Sequence, residues 1–525
     1  MTKFKIHNGL LAVTALALSL TLSGCNKYLD KVPDDRTQLD NVQTIKELLT
    51  SGYPVRSYIK MYELRSDNAT DKGIRAWDMD REGREMYTFQ AKVSSTYQDT
   101  PDGYWANLYE CFSVANQALR SLEELSGLST DEKRLADEAK GEALIIRAYS
   151  GYMLAQTFAR PYDPETAATF LGIPYPTEPE DVVIKEYSRG TLKETYDKIV
   201  KDFEEGYALI GSTYSQPKYH WTKTSAAAFG SALYRTLGDW KKVIVYSNAA
   251  LGADPTVFLR PLKDYTPLTY AEKAKRYTEP TENTNLIIDV AMSWWRNASV
   301  DSRFGLTPNL LQETSYKGRL NFLGVDVGIP QYGGDFYANL AKWHQYFQVN
   351  NVQAQTGFGY IAVPLFTAEH VLMNLSEAYA MLEQYDKANS TLRDFVSKFF
   401  VNFSPTDQRY MVTTDKITKF YSSDTRVFKP FYPLNETQTA YAKAYADLRR
   451  VLFIQEGLRW LDIRHYNLPV KHVLQSANDT KSEEVVLEAG DPRYAFQVPS
   501  SVLGYNIEPN PGYEKSDLSL LEKAN

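Results

Sequence analysis

Residues 448–466 read LRRVLFIQEGLRWLDIRHY, a stretch that is apolar and charged within the same few turns. Leu448, Val451, Leu452, Leu458 and Leu461 recur at helical spacing, so one face is buried. Arg449, Arg450, Glu456, Arg459, Asp462 and Arg464 lie so close to that face that several must be desolvated. Such burial is tolerable only if the charges pair with one another or cap neighbouring helices. Gly457, in the middle of the pattern, costs about 1 kcal/mol against alanine in a helix interior, so it marks close packing or a helix break. A charge-stitched packing element is the plainer reading than a catalytic cluster, since the two kinds of ion network look alike in sequence.

The same stretch contains E-G-x-R-W-x-D-I-R from Glu456 to Arg464, preceded by Leu448-Arg449-Arg450. It resembles the C-terminal signature of the SusD/RagB nutrient-binding outer-membrane lipoproteins. Other pieces stand in the family's order. Cys25 to Pro33 resembles the C-x-x-Y-L-D-x-x-P leader, and Gly141-Glu142-Ala143 to Arg147-Ala148-Tyr149 resembles G-E-A-x-x-x-R-A-Y. Gly172-Ile173-Pro174-Tyr175-Pro176 resembles the extended G-x-P-x-P continuation, and Asn510-Pro511-Gly512-Tyr513 the near-terminal N-P-G-Y. The resemblance therefore runs from the leader to the end of the chain. It implies a surface lipoprotein that captures an oligosaccharide and forms a lid over a SusC-like TonB-dependent transporter. Peptide capture of the RagB kind is the alternative, and a purely structural scaffold is a third reading. The family's ligand residues form no shared motif, so none is carried across.

Upstream, Lys3 and Lys5 precede an apolar run from Leu10 to Leu22, which is about thirteen residues and too short to span a bilayer as a helix. Leu22-Ser23-Gly24-Cys25 closes it and looks like a bacterial lipobox, implying cleavage before Cys25 and acylation there. Several acyl chains hold a soluble domain on a membrane, whereas one holds it marginally. Residues 1–24 are thus expected to be a signal peptide and 25–525 a single domain anchored in the outer membrane and facing outward. Residues 25–43 are its leader, a polar tether.

Removing residues 1–24 takes away Lys3 and Lys5 and no acid, so the net charge of −7 becomes −7 − 2 = −9. An acidic chain without a Lys/Arg run is a poor partner for nucleic acid. There are two cysteines, so with Cys25 lipidated Cys111 has no intrachain partner and no disulfide framework is possible.

Helical periodicity predicts a short helix over 44–53, a hairpin of helices over 104–128 and 131–160, and a helix opened by Ser188 or Thr191 as cap. Paired helices over 224–237 and 240–251 meet at Gly238-Asp239-Trp240, and the same grammar returns over 368–382 and 387–399. Alanine-rich pairs with such turns are tetratricopeptide-like. The expected fold is mainly α: a SusD-like scaffold of helix pairs, chiefly 104–252 and 366–402, with little β. Residues 253–365 break the grammar, are rich in Tyr, Trp, Gly, Pro and Asn, and hold one strand over 286–292. A long irregular insertion of this kind carries function more often than not.

Catalytic signals are poor. The histidines form no close metal spacing, and no P-loop, G-x-S-x-G or dinucleotide fingerprint occurs, so neither an enzyme nor a metal or cofactor is expected. Thirty-eight Tyr and eight Trp are the positive signal. Aromatic faces suit sugars, whose C–H groups stack on the ring while hydroxyls reach polar neighbours. Trp105, Trp221, Trp240 and Trp460 fall on helical faces or in family motifs and are assigned to the core. By elimination Trp77, Trp294, Trp295 and Trp343 are the candidate ligand contacts, with Tyr332 near Trp343. Asp78, Arg296 and Asn297 are the adjacent polar groups. Trp294 and Trp295 are consecutive, so only one of them is expected to face a ligand if the strand continues.

Overall fold

The computed structural model describes residues 39–73, 81–94, 98–180, 186–316, 322–323, 331–334, 337–475 and 482–513. The Cys25 lipobox, the leader up to residue 38, Trp77 and Asp78 lie outside the described residues.

The predicted helices form, each with a local reason for its ends. α1 (Val42–Leu49) starts at Asn41, whose side chain accepts from the Thr44 N–H. α2 (Ile59–Arg65), which follows, is not among the predicted helices and has no side-chain cap. α3 (Pro101–Glu124) has Pro101 in its first turn, where no N–H is needed. α4 (Thr130–Phe158) and α5 (Leu192–Leu209) each open on a capping box, Ser129 with Glu132 and Thr191 with Glu194, so Thr191 is the cap. α6 (Lys223–Leu237) and α7 (Trp240–Leu251) are joined by Asp239, whose side chain caps Lys242 N–H. Helices α3, α4 and α5 pack in sequence, as do α6 and α7. Ala226, Ala227 and Ala228 are fully buried where α6 meets its neighbours.

Residues 253–365 are more ordered than an irregular insertion. They supply a three-stranded antiparallel sheet of β1 (Asn285–Met292), β2 (Tyr346–Asn351) and β3 (Thr356–Thr367), with β3 in the centre. A short helix, α8 (Trp295–Asp301), begins just after β1. The apolar alternation in β3 explains the sheet: Ile361, Val363 and Leu365 are buried, while Tyr360, Ala362 and Pro364 between them are only partly so. Thr367 ends β3 and at once caps α9 (Ala368–Met381), which fixes the sheet to the helical scaffold. α9 packs on α7, on α10 (Tyr385–Phe399) and on α11 (Glu436–Leu452).

The stretch 448–466 divides as its glycine predicts. α11 ends at Leu452, and Gly457, at φ 78°, opens α12 (Leu458–Tyr466). A Cβ on Gly457 would lie 3.1 Å from Ile59 Cα, so the residue also permits the close approach of α2. The Gly457 N–H donates to Glu63 at 2.8 Å. Most of the charges of this stretch are paired, as burial requires. Arg449 Nε lies 2.8 Å from Asp462, Arg235 lies 2.7 Å from Glu377 and 3.2 Å from Asp462, and Arg459 lies 2.7 Å from Asp67. Burial alone would raise the Glu377 carboxyl, but Arg235 and His465 outweigh it and hold it well below the usual carboxylate range.

The distant motifs converge on the C-terminal end of α4. The Arg189 guanidinium donates to the Phe158 carbonyl at 3.0 Å, Arg464 to the Ala159 carbonyl at 2.9 Å, and Asn510 to the Phe158 carbonyl at 2.8 Å. Cations suit a helix C-terminus, whose unpaired carbonyls carry about half a negative charge. Within α4, Arg147 grips Asp202 of α5 by two hydrogen bonds of 2.7 and 2.8 Å.

Candidate functional site

Two of the four candidate tryptophans belong to the core. Trp295 and Trp343 are each 2% exposed, and both indole N–H groups donate to the Gln455 carbonyl at 3.0 Å. They pin the insertion onto the link between α11 and α12, leave no ring face open to a ligand, and so are corrected from ligand contacts to anchors. Irregular sequence around them gave no hint of this, because the carbonyl they share lies more than a hundred residues downstream.

Trp294 is different. It is 44% exposed, and its backbone N–H donates to Asp99 at 2.9 Å. The strand has ended by Met292, so the two indoles part because α8 begins at Trp295. Arg296 and Asn297, half-buried in the first turn of α8, hydrogen-bond to each other at 3.3 Å. Tyr332 is on a separate two-stranded ribbon, its backbone paired with Asn339.

What the structure brings beside Trp294 is the outer face of the sheet. Met292, Tyr360 and Tyr346 are direct cross-strand neighbours, one from each strand, and therefore share that face. The Tyr346 and Tyr360 rings stack at 5.2 Å and 16°, and His344 meets Tyr346 edge-on at 4.5 Å. Gly359 lets Trp294 approach: a Cβ there would run into Gln345 and lie 3.4 Å from the Trp294 ring. Gln345 in turn donates to the Ser293 carbonyl at 3.2 Å. Val290, 42% exposed, extends the apolar surface along β1. Tyr219, on a short turn packed against β1, is close enough to Tyr346 and Tyr360 for their charges to interact.

The rim is polar and mixed in sign. Partial burial lowers the His344 pKa, and the charges of Lys275 and Arg296 lower it further, so this imidazole is neutral at pH 7. Glu279 lies near enough to Tyr219 and Tyr346 to push both hydroxyls upward in pKa, after burial. An aromatic surface with neutral imidazole, amide and indole edges can bind by stacking and hydrogen bonding; it offers no activated nucleophile. Sequence reasoning missed Tyr219, Tyr346 and Tyr360. The only available signal was the two-residue alternation of Tyr360-Ile361-Ala362-Val363-Pro364-Leu365.

Residues 27–235 match the SusD-like family model described as starch-binding and associating with the outer membrane. The fold is that of solved SusD superfamily structures. A Bacteroides vulgatus protein assigned as sugar-binding shares 18% identity at a TM-score of 0.65, covering 91% of this chain and 100% of that one. A SusD superfamily protein from Bacteroides thetaiotaomicron shares 17% at 0.61, covering 90% and 100%. A SusD-like carbohydrate binding protein from Bacteroides vulgatus shares 14% at 0.60, covering 91% and 98%. No curated protein matches the chain. The chain thus has the fold of the solved SusD superfamily structures over nine-tenths of its length and is similar in sequence to the SusD-like family over residues 27–235.

Proposed function

We infer that the protein is a nutrient-capture lipoprotein that binds an oligosaccharide and passes it to a SusC-like TonB-dependent transporter. Trp294, Tyr346 and Tyr360 form the stacking surface, and Gln345, Arg296, Asn297 and His344 supply hydrogen bonds to hydroxyls. One observation carries this reading: an exposed indole stands beside a stacked tyrosine pair on the open face of a sheet whose other face is core. The family description and the sugar-binding neighbours point to the same ligand class. Lipidation at Cys25, outward orientation and the absence of chemistry belong to the same proposal, and Cys25→Ala should release the protein from membranes.

Peptide capture is favoured by a separate feature. β2 pairs with β3 on one edge only among the described residues, and its residues Phe347 to Asn351 are exposed. An open edge strand can accept an extended peptide through backbone hydrogen bonds. Calorimetric titration of the chain from Asn26 onward against panels of oligosaccharides and short peptides separates the two. Saturable heat from glycans alone supports sugar capture. Heat from peptides alone moves the protein to the peptide reading, and silence from both contradicts a site complete in this chain.

A further inference from the structure

A cavity of about 310 Å³ lies in the helical scaffold, away from the outer face of the sheet. It runs from exposed Lys429 and half-buried Arg160 inward to buried Tyr149, His370 and Arg464. Most buried charges along it are balanced. Arg235 and Arg449 share Glu377 and Asp462, and His465, its pKa lowered by burial to about 4, is neutral.

Arg464 is the exception. It is 3% exposed, and its hydrogen bonds go to the carbonyls of Tyr494 and Ala159, with no carboxylate within ion-pair distance among the described residues. Its Nε has no hydrogen-bond partner there, and neither has His370 Nδ1. The end of α4 supplies about half a negative charge, and Arg189 draws on the same carbonyls. An isolated buried cation is unfavourable, so a compensating anion gains what that burial loses.

The mouth repeats the sign. Arg160 donates to the Gly490 carbonyl and stacks on Phe170, while Lys429 has no ion pair among the described residues. Asp163 is the one carboxylate lining the cavity among the described residues; Glu377 and Asp462 lie behind the arginines they pair with. The Tyr58 and Tyr149 rings border the inner end, and neither hydroxyl has a hydrogen-bond partner among the described residues. Beyond those two rings lies Asp289, which does not line this cavity.

We propose that this cavity binds a small polyhydroxylated carboxylate, of the size and class of a hexuronic acid, with its carboxylate towards Arg464 and its ring against Tyr149. The cavity is at the lower end of the range for small-molecule sites, which limits the ligand to about one sugar ring. Tyrosine hydroxyls and the free His370 nitrogen suit ring hydroxyls. A neutral sugar would leave the excess positive charge in place.

The test is nuclear magnetic resonance of the His370 ring in the full mature chain, titrated with glucuronate, and with glucose and acetate as controls. Glucuronate is expected to shift the His370 signals saturably, and glucose and acetate to leave them unmoved at equal concentration. Lys429→Glu, at an exposed position, should weaken the response about three-fold or more, and Trp294→Ala should leave it unchanged. Equal response to glucose, or loss of response in Trp294→Ala instead of Lys429→Glu, overturns the assignment. An unmoved His370 overturns it too and means that water alone fills the cavity.

Discussion

The stretch around α11 and α12 and the outer face of the sheet are both crowded with aromatic rings and charges, yet they differ in one respect. In the first, most polar side chains find their partners inside the protein: Asp462 serves two arginines, and Trp295 and Trp343 share one carbonyl. In the second, Trp294 turns its ring to solvent beside a stacked pair of tyrosines. Aromatic content alone therefore does not mark a site. What marks it is a ring whose polar edge and face the fold leaves unused.

Breaking the buried region should give the largest effects. Asp462→Ala leaves Arg449 and part of Arg235 uncompensated and should destabilise the fold by about 3–5 kcal/mol in chemical denaturation. Trp295→Ala opens a cavity and removes one of the two N–H donors to the Gln455 carbonyl, for about 3–4 kcal/mol. A loss near zero in either variant would mean that the region is not the internally satisfied one.

The next effect is set by pH. Burial pushes the Asp289 carboxyl, on the inner face of β1, up to about 7, with only the Val290 N–H bond opposing. In the unfolded chain it titrates near the ordinary value of about 4. Below pH 4 both states hold the proton, and between about 4 and 7 the folded state alone holds it. Stability is therefore lost as pH rises through that window. Asp289→Asn should stabilise the protein at pH 8 by on the order of 1–3 kcal/mol and reduce the slope of melting temperature between pH 5 and 8. Glu63, raised to about 7 by burial, leaves some slope in the variant. An unchanged slope would place the titrating group elsewhere.

Much of the scaffold was legible because its signals are local. Thr191 with Glu194, the Gly457 break and the pair meeting at Asp239 depend on residues within one turn of each other. The need for ion pairs could be read from the burial of Arg449 and Arg459, but not their partners, since Asp67 lies 392 residues from Arg459. The site was legible only in part. Trp294 and Trp295 have the same neighbours in sequence, and the start of α8 decides which is exposed. Tyr346 and Tyr360 meet only once a hairpin sets their register.

The smallest effect on stability bears most on function. Trp294→Ala should leave the denaturation midpoint within about 0.5 kcal/mol of the wild type, as for an exposed side chain. Calorimetric titration of that variant with the oligosaccharide bound by the unmodified chain is the most direct test of the outer face as the binding surface. Affinity lower by about 1 kcal/mol, roughly five-fold, at unchanged stability is the predicted result. Unchanged affinity would contradict it and move the ligand off the sheet.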